Sequence, residues 1–169
     1  DCLFPWRTAL DNVCFGMELR GIAPPEREQR ARRALEQVGL AGFADAYPKA
    51  LSHGMRQRCA LARGFCLDSE ALLMDEPFGA LDAQTKIQLE DLLLELWGQT
   101  RRTVVFITHD LAEAVALADR VIVMSARPGR IVADMPIELP RPRHVRELQR
   151  DPAFLSLYSR VWEQLERGI

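Results

Sequence analysis

The chain has 169 residues, 48% of them apolar and 27% charged, and its formal net charge is −2. This composition is typical of a globular domain with a hydrophobic core and excludes a disordered chain. The mild acidity gives no overall attraction to nucleic acid, and no apolar run approaches the roughly 18 residues of a membrane span. The four cysteines have no zinc-ligand spacing, so we expect reduced cytosolic thiols.

The first 70 residues show mainly helical patterns. A helix is predicted after the Pro-Trp turn at residues 5–6, and Gly21 and Pro24-Pro25 are predicted to break it. A charged helix is predicted over residues 26–38, with Gly39 as its stop. The acidic residues of the charged helix favour a solvated face over a nucleic-acid patch. A third helix is predicted over residues 55–67, preceded by Ser52 as N-cap. The sequence therefore predicts a separate helical portion.

The next 54 residues alternate between strand and helix patterns, which favours an α/β domain with a parallel sheet. Short apolar runs predict the strands, the first two of them buried. Farther along, a Pro-Gly turn precedes a fourth strand, and a Pro/Arg-rich loop precedes an amphipathic helix. The predicted apolar face of that helix consists of Phe154, Leu155, Tyr158, Val161, Trp162 and Leu165. The predicted strands are residues 72–74, 103–108, 120–124 and 130–135, the loop is 139–150, and the helices are 83–98, 110–118 and the segment after Asp151.

An acidic pair stands at the end of the first predicted strand. Residues 71–82 read Ala-Leu-Leu-Met-Asp-Glu-Pro-Phe-Gly-Ala-Leu-Asp, so four apolar residues run directly into Asp75 and Glu76. Nucleotide hydrolysis needs carboxylates held rigidly in position, and the end of a strand provides this. Asp75 could hold Mg²⁺, and Glu76 could orient and polarise the attacking water. The alternative interpretation is a buried strand that ends in an acidic turn without chemistry.

Three further features accompany the acidic pair. Ser52, with Gly54 nearby, exposes backbone N–H groups at a helix N-terminus, where phosphate binds, although most serine caps bind only their own helix. His109 follows the second predicted strand, at the edge where parallel sheets bind ligands, although a histidine there is more often structural. Residues 79–82 form a turn in which Asp82 is a helix N-cap.

The order and spacing of these features resemble the ATPase subunit of an ATP-binding-cassette (ABC) transporter. Residues 51–55 match the signature motif of that family, residues 72–76 its Walker B segment, residues 79–82 its D-loop and His109 its switch histidine. Finer runs are similar to the importers of nitrate, sulfonates, taurine and related small anions. These runs are residues 4–13, the Met-Arg-Gln-Arg at 55–58, residues 78–85 and the Ala-Arg-Pro-Gly-Arg at 126–130.

The resemblance implies an α/β fold of the P-loop NTPase (ABC ATPase) type, with a helical subdomain and a parallel-sheet core. Residues 1–66 would form the helical subdomain with the signature motif. Residues 67–138 would form the RecA-like core with Walker B, D-loop and switch histidine, and residues 139–169 a C-terminal loop and amphipathic helix. The sequence contains no Gly-x-x-x-x-Gly-Lys-[Ser/Thr], so we expect a fragment whose N-terminal strands and P-loop are missing.

The resemblance also implies an activity, which is ATP hydrolysis that powers the import of small anions. Glu76 would be the general base, His109 a γ-phosphate contact and Asp75 the Mg²⁺ site. The remaining nucleotide-binding residues, some of which would contact the ATP of a partner subunit, are Ser52, His53, Gly54, Met55 and Asp82.

The implied cofactors are ATP and Mg²⁺. The implied partners are a second ATPase subunit in a homodimer, a transmembrane permease beside residues 4–6, and indirectly a periplasmic or lipoprotein solute-binding protein, with no nucleic acid. This places the protein peripherally on the cytoplasmic face of the inner (plasma) membrane.

His53 departs from the family pattern, which usually has glycine at this position. We expect its bulk to weaken ATP-driven closure and its position to demand a backbone conformation that suits glycine. The alternative function, favoured by His53 and the missing P-loop, is a catalytically inactive module that docks on a permease or partner ATPase without binding ATP.

Overall fold

The computed structural model describes residues 2–79 and 81–168, which form two compact units. The first unit comprises the described residues of 1–72 together with Pro77–Val104. The second unit comprises Leu73–Glu76 together with the described residues of 105–169. The functional division predicted at residues 66/67 and 138/139 stays a prediction.

The elements follow in chain order. The helices are α1 (Ala9–Leu19), α2 (Pro24–Gln37), α3 (His53–Cys66), α4 (Ala83–Thr100), α5 (Leu111–Leu117), α6 (Val145–Leu148) and α7 (Pro152–Gly168). The strands are β1 (Ala71–Asp75), β2 (Thr103–Ile107), β3 (Arg120–Met124) and β4 (Ile131–Pro136), and single 3₁₀ turns lie at Ala41–Phe43 and Pro48–Ala50. Among these described elements, no helix has both the length and the apolar character needed to cross a bilayer.

Helices α1, α2 and α3 build the core of the first unit. Thr8 begins α1 through a capping box, in which its hydroxyl accepts from the backbone N–H of Asp11 at 3.1 Å. The shared core is apolar and contains Val13, Met17 and Leu35, all fully buried. Burial of such side chains is the main term that stabilises a helical unit of this size.

The boundaries of α2 follow its proline and glycine residues. Pro24 is the first helical residue, whereas the sequence predicted that Pro24-Pro25 would break a helix and that the next would begin at residue 26. Proline suits the first turn because its missing N–H has no intrahelical partner there. Gly39 ends the helix with φ +74°, and the N–H of Leu40 then donates to the carbonyl of Leu35 at 2.7 Å.

Strands β1 and β2 form a two-stranded parallel sheet joined through α4, which confirms the predicted parallel pairing. Their hydrogen bonds advance in the same direction, from Thr103 N to Glu70 O (3.3 Å) and from Glu76 N to Ile107 O (2.9 Å). The prediction that both strands are buried is wrong, since Leu73 is 77% exposed. The reason is that the described residues cover only one face of this two-stranded sheet.

Strand β3 pairs with β4, not with the parallel strands that the alternation over residues 71–124 suggested for it. The pairing is antiparallel, with Val121 opposite Met135. A tight turn explains this, because strands joined by a short connection pair antiparallel. Within the turn, the N–H of Ser125 donates to the carbonyl of Arg130 at 2.9 Å.

Helix α7 packs on α5, β3 and β4 within the second unit. Its buried residues are Phe154, Leu157 and Val161. The predicted apolar face also contained Leu155 and Trp162, but these side chains are 51% and 46% exposed. The buried face of α7 is therefore rotated slightly from the predicted one and includes Leu157, which the prediction did not contain.

Arg143 lies in the segment that the sequence predicted to be a loop, which contains the single turn α6. Its guanidinium is buried and donates to the carbonyls of Ala116, Ala118, Ile137 and Leu139 at 2.7–3.4 Å. Desolvation by this burial lowers the pKa of Arg143 to about 10. The side chain fixes this segment against the C-terminal end of α5.

Candidate active site

Glu76 turns the chain at the end of β1. Its backbone is in the left-handed region, with φ +43°, and its N–H donates to the carbonyl of Ile107 at 2.9 Å. A non-glycine residue in this region costs about 1 kcal/mol and persists where surrounding bonds hold it. The conformation places the Glu76 carboxylate next to the loop that follows β2.

His109 on that loop meets the carboxylate. Its Nδ1–H donates to Glu76 Oε1 at 3.0 Å. This hydrogen bond, and secondarily the negative charge of Glu76, raises the pKa of His109 above its ordinary value. The two side chains remain 77% and 52% exposed, so solvent and ligands can reach both. The structure thus brings together the two residues predicted to be catalytic.

Thr108, Asp110 and Glu113 hold the His109 loop in place, and sequence reasoning did not identify them. The hydroxyl of Thr108 donates to the buried carboxylate of Glu113 at 2.5 Å and accepts from the N–H of Asp110 at 2.9 Å. Asp110 in turn caps α5 by accepting from the N–H of Ala112 at 2.8 Å. The available signal was Thr-His-Asp-x-x-Glu, in which hydroxyl and carboxylate side chains satisfy a helix start.

Asp75 directly precedes Glu76 and is exposed. The two adjacent side chains supply hard carboxylate oxygens, which are the donors that Mg²⁺ uses together with water and substrate phosphates. No group of three or more His, Cys, Asp or Glu side chains suited to a metal lies within residues 2–79 and 81–168. The donor set fits a magnesium ion shared with phosphates, not an all-protein metal cage.

The residues predicted to form the signature motif lie at the start of α3. Ser52 is its N-cap, and the serine Oγ accepts from the N–H of Met55 at 3.3 Å. A Cβ atom on Gly54 would come within 2.9 Å of Thr85 Cγ2, closer than real Cβ contacts. Glycine is therefore needed here for close approach between the first turns of α3 and α4.

Asp82 caps α4 on the other side of this contact. Its Oδ1 accepts from the N–H of Thr85 at 3.0 Å, and hydrogen bonds from the Thr85 side chain and backbone lower the Asp82 pKa. The structure thus brings Gly54 and the turn capped by Asp82 together in the first unit. Ala80, the second residue of the predicted D-loop, lies outside the described residues.

His53 begins α3 with ordinary helical geometry, so the expectation that its backbone would suit only glycine is wrong. Nη2 of Arg56 lies 3.2 Å from His53 Nδ1. Because a guanidinium has no acceptor, Nδ1 must accept and the proton of the neutral ring must sit on Nε2. Nε2 is buried and has no hydrogen-bond partner within the described part of the chain.

Comparison with known proteins gives concordant matches. A family model described as ABC transporter matches residues 1–79. The taurine import ATP-binding protein TauB of Shigella boydii is 43% identical over 173 residues, which cover 97% of this chain and 68% of that protein. The nitrate import ATP-binding protein NrtD of Synechocystis is 44% identical over 171 residues, which cover 98% and 64%.

A solved structure supports the same family. The ATP-binding cassette MJ0796, in a dimeric post-hydrolysis state bound to ADP and Pi, aligns with a TM-score of 0.68 and 31% identity. The alignment covers 82% of this chain and 60% of that one, and it confirms the predicted ABC ATPase fold. The chain spans roughly three fifths of the length of the first curated relatives that it matches. The chain belongs to the family of ABC transporter ATP-binding proteins.

Proposed function

We propose that this chain is part of an ATP-hydrolysing subunit that powers an ABC importer for small anions of the nitrate, sulfonate or taurine type. The hydrogen bond between Glu76 and His109, at the carboxyl edge of two parallel strands, is the observation that carries the proposal. The import of nitrate and taurine by proteins with 42–44% identity supports the cargo class.

The proposed chemistry follows from this pair. Glu76 orients and polarises the attacking water and accepts its proton, while the imidazole of His109 donates a hydrogen bond to the γ-phosphate. The raised pKa of His109 extends the pH range in which the ring is cationic, which suits a phosphate ligand. Phosphoryl transfer depends mainly on positioning and charge stabilisation, and the capped loop around His109 supplies the positioning.

Mg²⁺ would be held by Asp75, next to Glu76. When bound, the ion would neutralise charge on the β- and γ-phosphates. The role of Asp75 is to present one exposed carboxylate at a fixed strand end, leaving the other coordination positions to water and phosphate oxygens.

The start of α3 is proposed to contact the ATP bound by a second copy of the subunit. Free backbone N–H groups in its first turn, together with the helix dipole, attract phosphate. The nearby residues proposed for this interface are Ser52, His53, Gly54, Met55 and Asp82. The dimeric state of the related cassette structure supports such pairing.

We also place the subunit on the cytoplasmic face of the plasma membrane, docked on a permease and served indirectly by a solute-binding protein. Trp6 is 71% exposed in the segment proposed to meet the permease. Phe4 beneath it is fixed by a T-shaped contact with Phe15, with 4.6 Å between ring centroids. An exposed aromatic side chain on an ordered turn is typical of a contact anchor.

The test is Glu76→Gln in a full-length chimaera, in which the upstream part of the Shigella boydii relative precedes residue 1. We expect ATP to bind and remain trapped while hydrolysis falls on the order of a hundredfold or more. Glu70→Gln, an exposed carboxylate just before β1, should hydrolyse ATP at the unchanged rate. Equal activity of Glu76→Gln and the parent chimaera would refute the proposed role.

A second candidate function is the catalytically inactive docking module. The bulky His53 at the start of α3, whose Nε2 has no partner among the described residues, favours this candidate. The same chimaera separates the two functions, because a docking module would bind a permease and show no response to ATP. Coding DNA directly upstream of residue 1 gives an independent test, since an in-frame Gly-x-x-x-x-Gly-Lys-[Ser/Thr] supports the ATPase.

A further inference from the structure

A cavity of about 250 Å³ lies within the first unit, between α2, α3 and α4. It is smaller than the roughly 300–1,000 Å³ typical of drug-sized ligand sites, so only a small molecule fits. None of the residues proposed for ATP binding lines it. Besides two alanines, its lining residues are Arg30, Arg33, Gln37, Phe65, Cys66 and Leu96.

The charged side chains that line the cavity are both arginines. Arg33 is exposed and has no hydrogen-bond or ion-pair partner within residues 2–79 and 81–168. Arg30 donates from Nη2 to the carbonyl of Cys66 at 3.1 Å, and its other contact is a weak ion pair with Glu26 at 3.8 Å. Among the described residues that line the cavity none is a carboxylate, so Arg30 and Arg33 give its lining a net positive charge.

Besides the alanines, two of the lining side chains are apolar, and the guanidinium of Arg102 lies close to one of them. Phe65 and Leu96 supply an aromatic ring and a buried aliphatic side chain. The guanidinium of Arg102 lies 5.3 Å from the centroid of the Phe65 ring and is held by the carbonyl of Leu67 at 2.6 Å. Burial raises the pKa of the Cys66 thiol, so this side chain contributes no negative charge.

We propose that this cavity binds a small organic monoanion, with a carboxylate or sulfonate head on a ring or short apolar body. The planar guanidinium groups of Arg30 and Arg33 match the oxygens of such a head group. Phe65 and Leu96 then cover the apolar body. This site is separate from the proposed ATP chemistry, so either one can fail without the other.

The probe for the test is 4-fluorobenzenesulfonate, observed by its ¹⁹F NMR signal with the full chain at low concentration. We expect saturable line broadening with a Kd of about 1 mM, reasonable for so small a ligand. Inorganic sulfate lacks the apolar body and should compete poorly. No saturation at about ten times that concentration, or equal competition by sulfate, would overturn the proposal.

Variants on α2 locate the site. Arg33→Gln should weaken binding about fivefold to tenfold, because it removes a charge-assisted contact. The matched control is Arg32→Gln, since Arg32 is exposed and paired with Glu28 at 2.9 Å on the same helix. The control should change the Kd by less than about twofold. Equal losses in both variants would show general charge attraction and overturn the assignment.

Arg30→Gln adds a second line of evidence, with circular dichroism to verify folding. Arg30 also caps the end of α3, so its loss could affect that helix. Arg33 has no such contact within the described residues, so Arg33→Gln decides the question if Arg30→Gln loses helicity. A folded Arg33→Gln variant with unchanged affinity would contradict the site.

Discussion

At the residue scale, the positive φ of Glu76 is the local feature that determines the geometry of the candidate site. The bond from its N–H to the Ile107 carbonyl holds the turn, and Thr108 and Asp110 hold the facing loop. Because hydrogen bonds of the backbone hold both ends of the pair, the local fold sets the short distance between Glu76 and His109. Preorganisation of this kind lowers the cost of assembling a catalytic site.

The first prediction concerns the titration of His109. Its pKa is raised by Glu76, so the stabilisation of the folded state by this pair is present at low pH, below the ordinary histidine pKa. It is lost as the pH rises through the raised value. Glu76→Gln removes the negative charge and weakens the hydrogen bond. The His109 pKa, measured by NMR, should therefore fall towards the ordinary value near 6.5.

Glu138→Gln serves as the control for this titration. Glu138 is an exposed carboxylate of the second unit and is not among the groups that shift His109. The control variant should leave the His109 titration curve in place. A His109 pKa that is the same in wild type and in Glu76→Gln would show that the hydrogen bond does not form in solution.

The second prediction concerns His53, whose buried Nε2–H lacks a partner in the described residues. The His53 ring also adds bulk at the start of α3, where we propose that the ATP of a second subunit binds, and glycine would remove that bulk. In the full-length chimaera, His53→Gly should raise ATP hydrolysis on the order of fivefold, equivalent to about 1 kcal/mol. His144→Gln, which changes an exposed histidine, should leave the rate as it was; an unchanged rate in His53→Gly would refute the idea.

At the element scale, the close approach of α3 and α4 gives the third prediction. Gly54→Ala should destabilise the chain by about 1–2 kcal/mol, because its Cβ would overlap the methyl group of Thr85. Rotation of Thr85 would relieve the overlap only by breaking its side-chain hydrogen bond with Asp82. Thr85→Ser removes the methyl group, so the cost of Gly54→Ala should shrink in that background. Urea denaturation of the four proteins of this double-mutant cycle, each made in the full-length chimaera, measures the coupling.

Gly98 on α4 is the matched control for this cycle. A Cβ there meets nothing within 4 Å, so Gly98→Ala should be neutral or stabilising by up to about 1 kcal/mol through helix propensity. Additive free energies for Gly54→Ala and Thr85→Ser would show that the two helix starts do not touch.

The buried guanidinium of Arg143 gives the fourth prediction. Arg143→Met leaves several carbonyl groups buried without a donor, so the free energy of unfolding should fall by about 3 kcal/mol. Arg146→Met changes an exposed arginine of α6 and should shift the free energy by less than about 0.5 kcal/mol. Both variants are compared by thermal unfolding in the full-length chimaera, where equal effects would contradict a structural role for the buried side chain.

Helix starts were predictable from local chemistry, because the residues that satisfy a helix end are adjacent in sequence. Ser52 and Asp82 cap the helices that follow them, as predicted, and Thr8 caps α1 through the same local chemistry. Arg143 was not predictable, since its acceptors come from α5 and from the chain after β4. The close contact between the Thr85 methyl group and Gly54 was also not predictable, because it depends on how α3 and α4 pack.

At the scale of the whole molecule, composition and strand–helix alternation predicted the fold class and the β1–β2 pairing. The alternation did not predict the pairing partner of β3. The short connection to β4 favours antiparallel pairing with β4 over parallel pairing through a longer crossover connection. The proximity of Glu76 and His109, the candidate catalytic pair, was predictable because parallel neighbouring strands bring their carboxyl ends to one edge of the sheet. Which strand faces are covered was not predictable, because coverage depends on the elements packed on the sheet.

The last prediction follows from the exposed face of β1 and β2. Leu73, Val105 and Ile107 are 77%, 48% and 56% exposed, whereas Met74 on the other face is 9% exposed. An uncovered apolar strand pair is a template for pairing with other chains, so we expect the isolated 169-residue chain to aggregate. A sharp, cooperative melt of a monomer would contradict this expectation.

The cause of that aggregation can be tested by substitution on the exposed face. Val105→Thr combined with Ile107→Thr keeps β-branched side chains but replaces apolar surface by hydroxyl groups, so light scattering during concentration should fall. The control, Val123→Thr, places the same change at a side chain that is 5% exposed on β3. It should lower the melting temperature without reducing scattering, because a hydroxyl group buried in the core destabilises the folded state. If the control reduced scattering as much as the double variant, aggregation would stem from global unfolding and not from this face.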